Sequence, residues 1–184
     1  MEKSVTGSNR VLSWSFYALL FVVGIGTFFI HELAHWLTGV ALGHDMIASP
    51  NHVRATDPMS VRDQCLVSAA GPLITIAQGV VGYWLVSRRA SLLGFALLYL
   101  AFFMRLIANT VSVFNPNDEA RVSQLLGIGT WTLPLVVVVG LFVLLFAASR
   151  RLKLRFLDQF FCYLVASVVV SLIVGVDMAF WSKS

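Results

Sequence analysis

The chain reads as an all-α integral membrane protein with about five transmembrane helices, and three observations predict that class. Of its 184 residues, 58% are hydrophobic and only 12% are charged, where soluble proteins carry about 25% charged residues. Five apolar stretches are each long enough for a helix to cross a bilayer, which takes about 20 residues. The formal charge of +4 is concentrated in short basic segments beside those stretches, as expected for contact with anionic lipid. No basic and aromatic residues interleave as a nucleic-acid surface requires, so the expected environment is the lipid bilayer and not a nucleic acid. The length suits a single membrane domain over residues 1–184.

Residues 1–10 are polar and expected to be mobile. The first span runs from Val11 to about Gly43, longer than a bilayer needs, so its last turns should lie near the far membrane boundary. It lacks a small-residue cleavage site before its histidines and is expected to be a retained helix rather than a signal peptide. Gly24 and Gly26 would let a neighbouring helix come close. Residues 44–63 form the longest polar connection. Ser49, Pro50 and Asn51 read as a turn, predicting a short β-hairpin at 45–55, with a plain loop as the equal alternative. A free hairpin edge could receive an extended peptide by strand addition.

The second span covers about 64–87 and holds Ser68, Gly71, Pro72, Thr75 and Gln78, a set suited to close packing or a kink. The third covers about 90–114. Arg105 and Asn109 lie four apart within it and should face the bundle interior. Residues 115–119 then break the helix and supply two carboxylates, Asp118 and Glu119, on the side where the first span ends. The last spans, about 130–149 and 157–181, are separated by the basic run 150–155. Asp177, near the end of the last span, reads as an interfacial carboxylate before it reads as an extra ligand or a partner of Arg105. Cys65 and Cys162 have no paired spacing and are expected to pack singly.

The chemistry concentrates in residues 31–35, His-Glu-Leu-Ala-His. On a helix His31 and His35 project from one face and can hold one metal ion, with Glu32 beside them to take a proton from water. Two histidines merely hydrogen-bonded at a helix end would be the bland reading. Phe28, Phe29 and Ile30 before the motif and Trp36 and Leu37 after it make such groups costly without a task. Lys3, Arg10, Arg88, Arg89, Arg150, Arg151, Lys153 and Arg155 fall on the amino-terminal side, against Arg54, Arg62, Arg121 and Lys183 opposite. That bias predicts a cytoplasmic amino terminus and a metal site towards the other face.

Over about residues 20–120 the chain resembles the site-2 protease (M50-like) family of intramembrane zinc metalloproteases. His31 to His35 look like that family's metal helix. Ala70-Gly71-Pro72 is similar to its A-G-P-x-x-N segment, with Thr75 in place of the Asn. Residues 109–118 look like a variant of its N-x-x-P-x-P-x-L-D-G motif, one residue longer and ending Asn-Asp-Glu. The resemblance implies a three-helix metalloprotease core at about 11–122, with the last two helices additional. It implies Zn2+ held by His31, His35 and Asp118, with Glu119 as the neighbouring alternative. Glu32 would be the catalytic base, and Asn109 or Arg105 would stabilise the developing oxyanion. The implied substrate is a transmembrane segment of another protein, locally unwound and cut near the membrane boundary. An accessory membrane subunit is a further partner this allows, and the expected location is a prokaryotic cell membrane. Family members generally open their site to the cytosol, opposite to the orientation the charge bias predicts. A non-catalytic metal-binding scaffold is the main alternative. A metal transporter is the weaker one, lacking a second set of intramembrane ligands, since His44 and His52 fall in the loop.

Overall fold

A computed structural model of the protein describes residues 12–180. The polar segment 1–10, Val11, Trp181 and Lys183 lie outside the described residues. The elements in chain order are α1 (Trp14–Ala41), β1 (Met46–Ser49), β2 (His52–Ala55), α2 (Val61–Arg89), α3 (Leu92–Val111), α4 (Asp118–Leu125), α5 (Thr132–Leu152) and α6 (Phe156–Phe180). Five of the helices, all but α4, are long and apolar enough to cross a membrane, which is consistent with a multi-pass membrane protein. The hairpin expected at 45–55 is present. Its strands pair antiparallel with Met46 opposite Ala55 and Ser49 opposite His52, leaving Pro50 and Asn51 as the turn.

Polar side chains fix where helices begin. Ser60, Ser91 and Asn117 accept from the backbone N–H of Asp63, Gly94 and Ala120, capping α2, α3 and α4. The α4 cap turns what reads in sequence as a simple break into a break followed by a two-turn helix. Asp118 and Glu119 form its first turn, where negative charge suits the helix dipole.

Helix α3 is the axis of the bundle. It packs against α1, α2, α5 and α6, and Phe95, Leu98 and Leu100 on it are buried with Leu20 of α1 and Val86 of α2. Near one end of that contact α2 and α3 nearly touch. A Cβ on Gly82 would meet the carbonyl oxygen of Gly94 at 2.6 Å and the amide of Leu98 at 2.8 Å, so only a glycine lets the backbones come this close. One amide joins three helices: Gln78 Nε2 donates to Thr27 Oγ1 of α1 at 3.0 Å and to the Leu97 carbonyl of α3 at 2.9 Å. Outward-facing positions such as Val22, Phe29 and Val136 stay exposed and apolar, a surface suited to lipid.

Candidate metal centre

His31 and His35 lie one turn apart on α1, both buried, and face α2. Each imidazole is oriented through its Nδ1. His35 Nδ1 lies 2.6 Å from the Val67 carbonyl, which can only accept, so Nδ1 carries a proton and, in the neutral ring, the Nε2 lone pair is free. His31 Nδ1 lies 3.1 Å from Thr75 Oγ1, and that hydroxyl gives its own proton to the Gly71 carbonyl at 2.9 Å. The Thr75 oxygen therefore accepts from His31 Nδ1–H, and His31 Nε2 is also free. Both imidazoles are set as metal ligands commonly are.

The two Nε2 atoms stand 3.1 Å apart, and Asp118 Oδ2 lies 3.3 Å from each. A carboxylate and two lone pairs so close repel one another unless a cation sits among them. His31, His35 and Asp118 could thus hold one metal ion. Helix α2 reaches these rings only because residue 71 is glycine: a Cβ there would overlap His35 Nε2 and His31 Cε1.

Of the two neighbouring carboxylates, Asp118 joins the histidines and Glu119 does not. Glu119 Oε1 accepts from Arg105 Nη1 at 3.0 Å in a pair whose side chains are each 3% exposed, and its Oε2 accepts from Asn117 Nδ2 at 2.9 Å. Asn109 donates to the Pro134 carbonyl at 2.9 Å and accepts from Asn117 at 2.8 Å. Arg105 and Asn109 thereby brace the segment that carries Asp118, and neither lines the pocket beside the metal ligands. Asp177 lies outside the three-atom triangle, and Arg105 is paired with Glu119 instead.

Glu32 is half-buried at the junction of two cavities. One is a small polar pocket that it shares with His35, Asp118, Ser68, His52 and Arg121. The other is an apolar groove of about 310 Å³ between Phe29, Leu33 and Trp36 of α1 and Ala48, Ser49 and Pro50 of the hairpin. A chain lying along β1 in that groove would pass Glu32. Sequence patterning does not give Thr75 its orienting role, nor place Val67, His52 and Arg121 in the site. Thr75 was legible, being four residues after Gly71 and so on the same face of α2. The approach of His52 and Arg121 depends on the hairpin and α4 folding back, which no local pattern announces. Arg121 also reaches across to α2, its Nη1 lying 3.4 Å from Ser68 Oγ.

Comparison with protein-family models, with curated proteins and with solved structures returned no match.

Proposed function

We propose that the protein is an intramembrane zinc metalloprotease that hydrolyses a peptide bond in or near a transmembrane segment of another membrane protein. The observation that carries this reading is the triangle of His31 Nε2, His35 Nε2 and Asp118 Oδ2, with sides of 3.1, 3.3 and 3.3 Å. Ligands about 2.05 Å from a tetrahedral zinc ion lie about 3.3 Å from one another. Three protein ligands leave one corner open, the pattern of a catalytic rather than a structural site. The resemblance of residues 31–35, 70–72 and 109–118 to the site-2 protease family supports the same assignment, with the cell membrane of a prokaryote as the expected setting.

When bound, zinc supplies Lewis acidity, polarising the scissile carbonyl and making water nucleophilic near neutral pH. The chain's own groups do the rest. Glu32 accepts the proton that water loses as it adds to the carbonyl carbon, and returns it to the leaving amine nitrogen. Thr75 and Val67 hold the imidazoles so that neither ring turns away. The groove beside β1 supports an extended substrate, since a helical segment hides its carbonyls in its own hydrogen bonds and must unwind first.

The test is Glu32→Gln in the full-length chain, reconstituted in lipid with transmembrane peptides as substrates. Glu32→Gln is expected to retain one zinc per chain while hydrolysis falls by about 10²-fold or more. Undiminished hydrolysis would remove Glu32 from the mechanism. Absence of hydrolysis in zinc-loaded wild type, with cellular function intact in Glu32→Gln, would assign the site to a metal-binding scaffold instead.

A further inference from the structure

Helices α5 and α6 follow one another in sequence, joined by residues 153–155, yet α5 packs on α3 and α6 on α1 and α3, and they hardly touch each other. Between them remains a cleft of about 410 Å³, in the range of small-molecule sites. Tyr99 and Phe102 of α3 form its floor, and Phe142 and Phe146 of α5 line one wall. At the end where the two helices join, Arg150, Lys153 and Arg155 stand at its rim. The Arg150 guanidinium carbon lies 5.8 Å from the centroid of the Phe146 ring, which holds a cation at the boundary of the apolar slot.

These three cations have no carboxylate partner among the described residues. The nearest acid in sequence, Asp158, is 1% exposed and spends its oxygens on the backbone N–H groups of Leu12 and Arg155. From Phe142 to Arg150 the helix rises about 12 Å, most of one ~15 Å leaflet of hydrocarbon. An aromatic slot that follows α5 for about 12 Å, edged by positive charge with no carboxylate partner among the described residues, matches a ligand with an apolar tail and an anionic head. A free anion would leave the slot unused. A plain apolar helix would leave the cations unanswered.

We propose that this cleft binds one anionic phospholipid, its phosphate against Arg150, Lys153 and Arg155 and an acyl chain along Phe142 and Phe146. The inference rests on the five spans and is independent of any hydrolysis at the metal centre.

The experiment is thermal unfolding of the purified full-length chain in detergent, titrated with phosphatidylglycerol or with phosphatidylcholine. Phosphatidylglycerol is expected to raise the midpoint by about 3 °C or more at saturation, and phosphatidylcholine to leave it nearly unchanged. The Arg150→Gln/Lys153→Gln/Arg155→Gln variant should bind phosphatidylglycerol roughly 100-fold more weakly. Arg88→Gln/Arg89→Gln, at the same end of the bundle but outside the cleft, should respond like wild type. Glycerophosphoglycerol and inorganic phosphate, which lack acyl chains, should not raise the midpoint. Equal responses to the two lipids, an undiminished response in the triple variant, or full stabilisation by either chainless anion would each overturn the proposal. Native mass spectrometry of the wild-type chain gives a measure that needs no variant, expecting one retained phosphatidylglycerol after dilution. Cross-linking of Phe142→Cys to a second copy of the chain, with no lipid retained, would make the cleft a dimer contact and overturn the proposal.

Discussion

At the scale of single residues, the neighbours Asp118 and Glu119 have opposite tasks, and substitution should separate them. Asp118→Ala removes a corner of the ligand triangle and should abolish binding of a metal ion there, read as metal per chain, while leaving the fold intact. Glu119→Ala leaves Arg105 buried with no counter-charge. Its expected signature is a loss of about 3–5 kcal/mol in stability, read by thermal or denaturant unfolding, with metal loss only as a consequence of unfolding. Thr75→Val keeps the shape but removes the oxygen that accepts from His31, and should weaken metal binding at the triangle by about 10–100-fold, measured by competition with a chelator. The two histidines were legible because helical spacing alone puts them on one face. Asp118 was legible only together with Glu119, since both carboxylates follow the same break. What separates them is a side-chain network through Arg105, Asn109 and Asn117, and no spacing rule encodes that.

At the scale of elements, one histidine ties together the two ends of the hairpin segment and the start of α2. His44 Nδ1 lies 2.6 Å from Asp57 Oδ2, and its Nε2 lies 3.5 Å from Asp63 Oδ2 at the start of α2. Asp57 also accepts from the backbone N–H of Asp45 at 3.2 Å. The bond to Asp57 raises the His44 pKa above its ordinary value, and the same bond lowers that of Asp57. A raised imidazole contributes fully below about pH 6.5 and is lost as pH climbs through its folded value. A lowered carboxyl contributes fully above about pH 3.9 and is lost as pH falls through its folded value. Hydrogen-exchange protection in residues 46–55, the observed rate divided into the intrinsic rate at each pH, should therefore be highest between roughly pH 4 and 6.5, and His44→Ala should flatten that profile. The five long helices and the hairpin were readable because hydropathy and turn residues act locally. Helix α4 carries no such local signal. Its eight residues are mostly polar, and its start rests on the Asn117 cap where the eye meets Pro116 as a stop.

At the scale of the whole molecule, crossings by the five candidate spans would put the hairpin and the α5–α6 linker on opposite faces of the membrane. In a chain with Cys65 and Cys162 replaced by alanine, Ser49→Cys and Lys153→Cys should react with an impermeant thiol reagent from opposite sides. The side on which Ser49→Cys reacts decides between the orientation the basic residues favour and the one the family resemblance implies. Either orientation uses the same internal geometry, in which Asp118 meets His31 across 87 residues of chain. That separation has a consequence for how the protein is made. The two imidazoles enter the bilayer with the first helix, but their third partner leaves the ribosome only after two more helices have been threaded. Throughout that interval the nascent chain carries the ligands unassembled. A metal ion held by all three groups would therefore be taken up as a finishing step of biogenesis, and a chain arrested before α4 would meet membrane quality control without it.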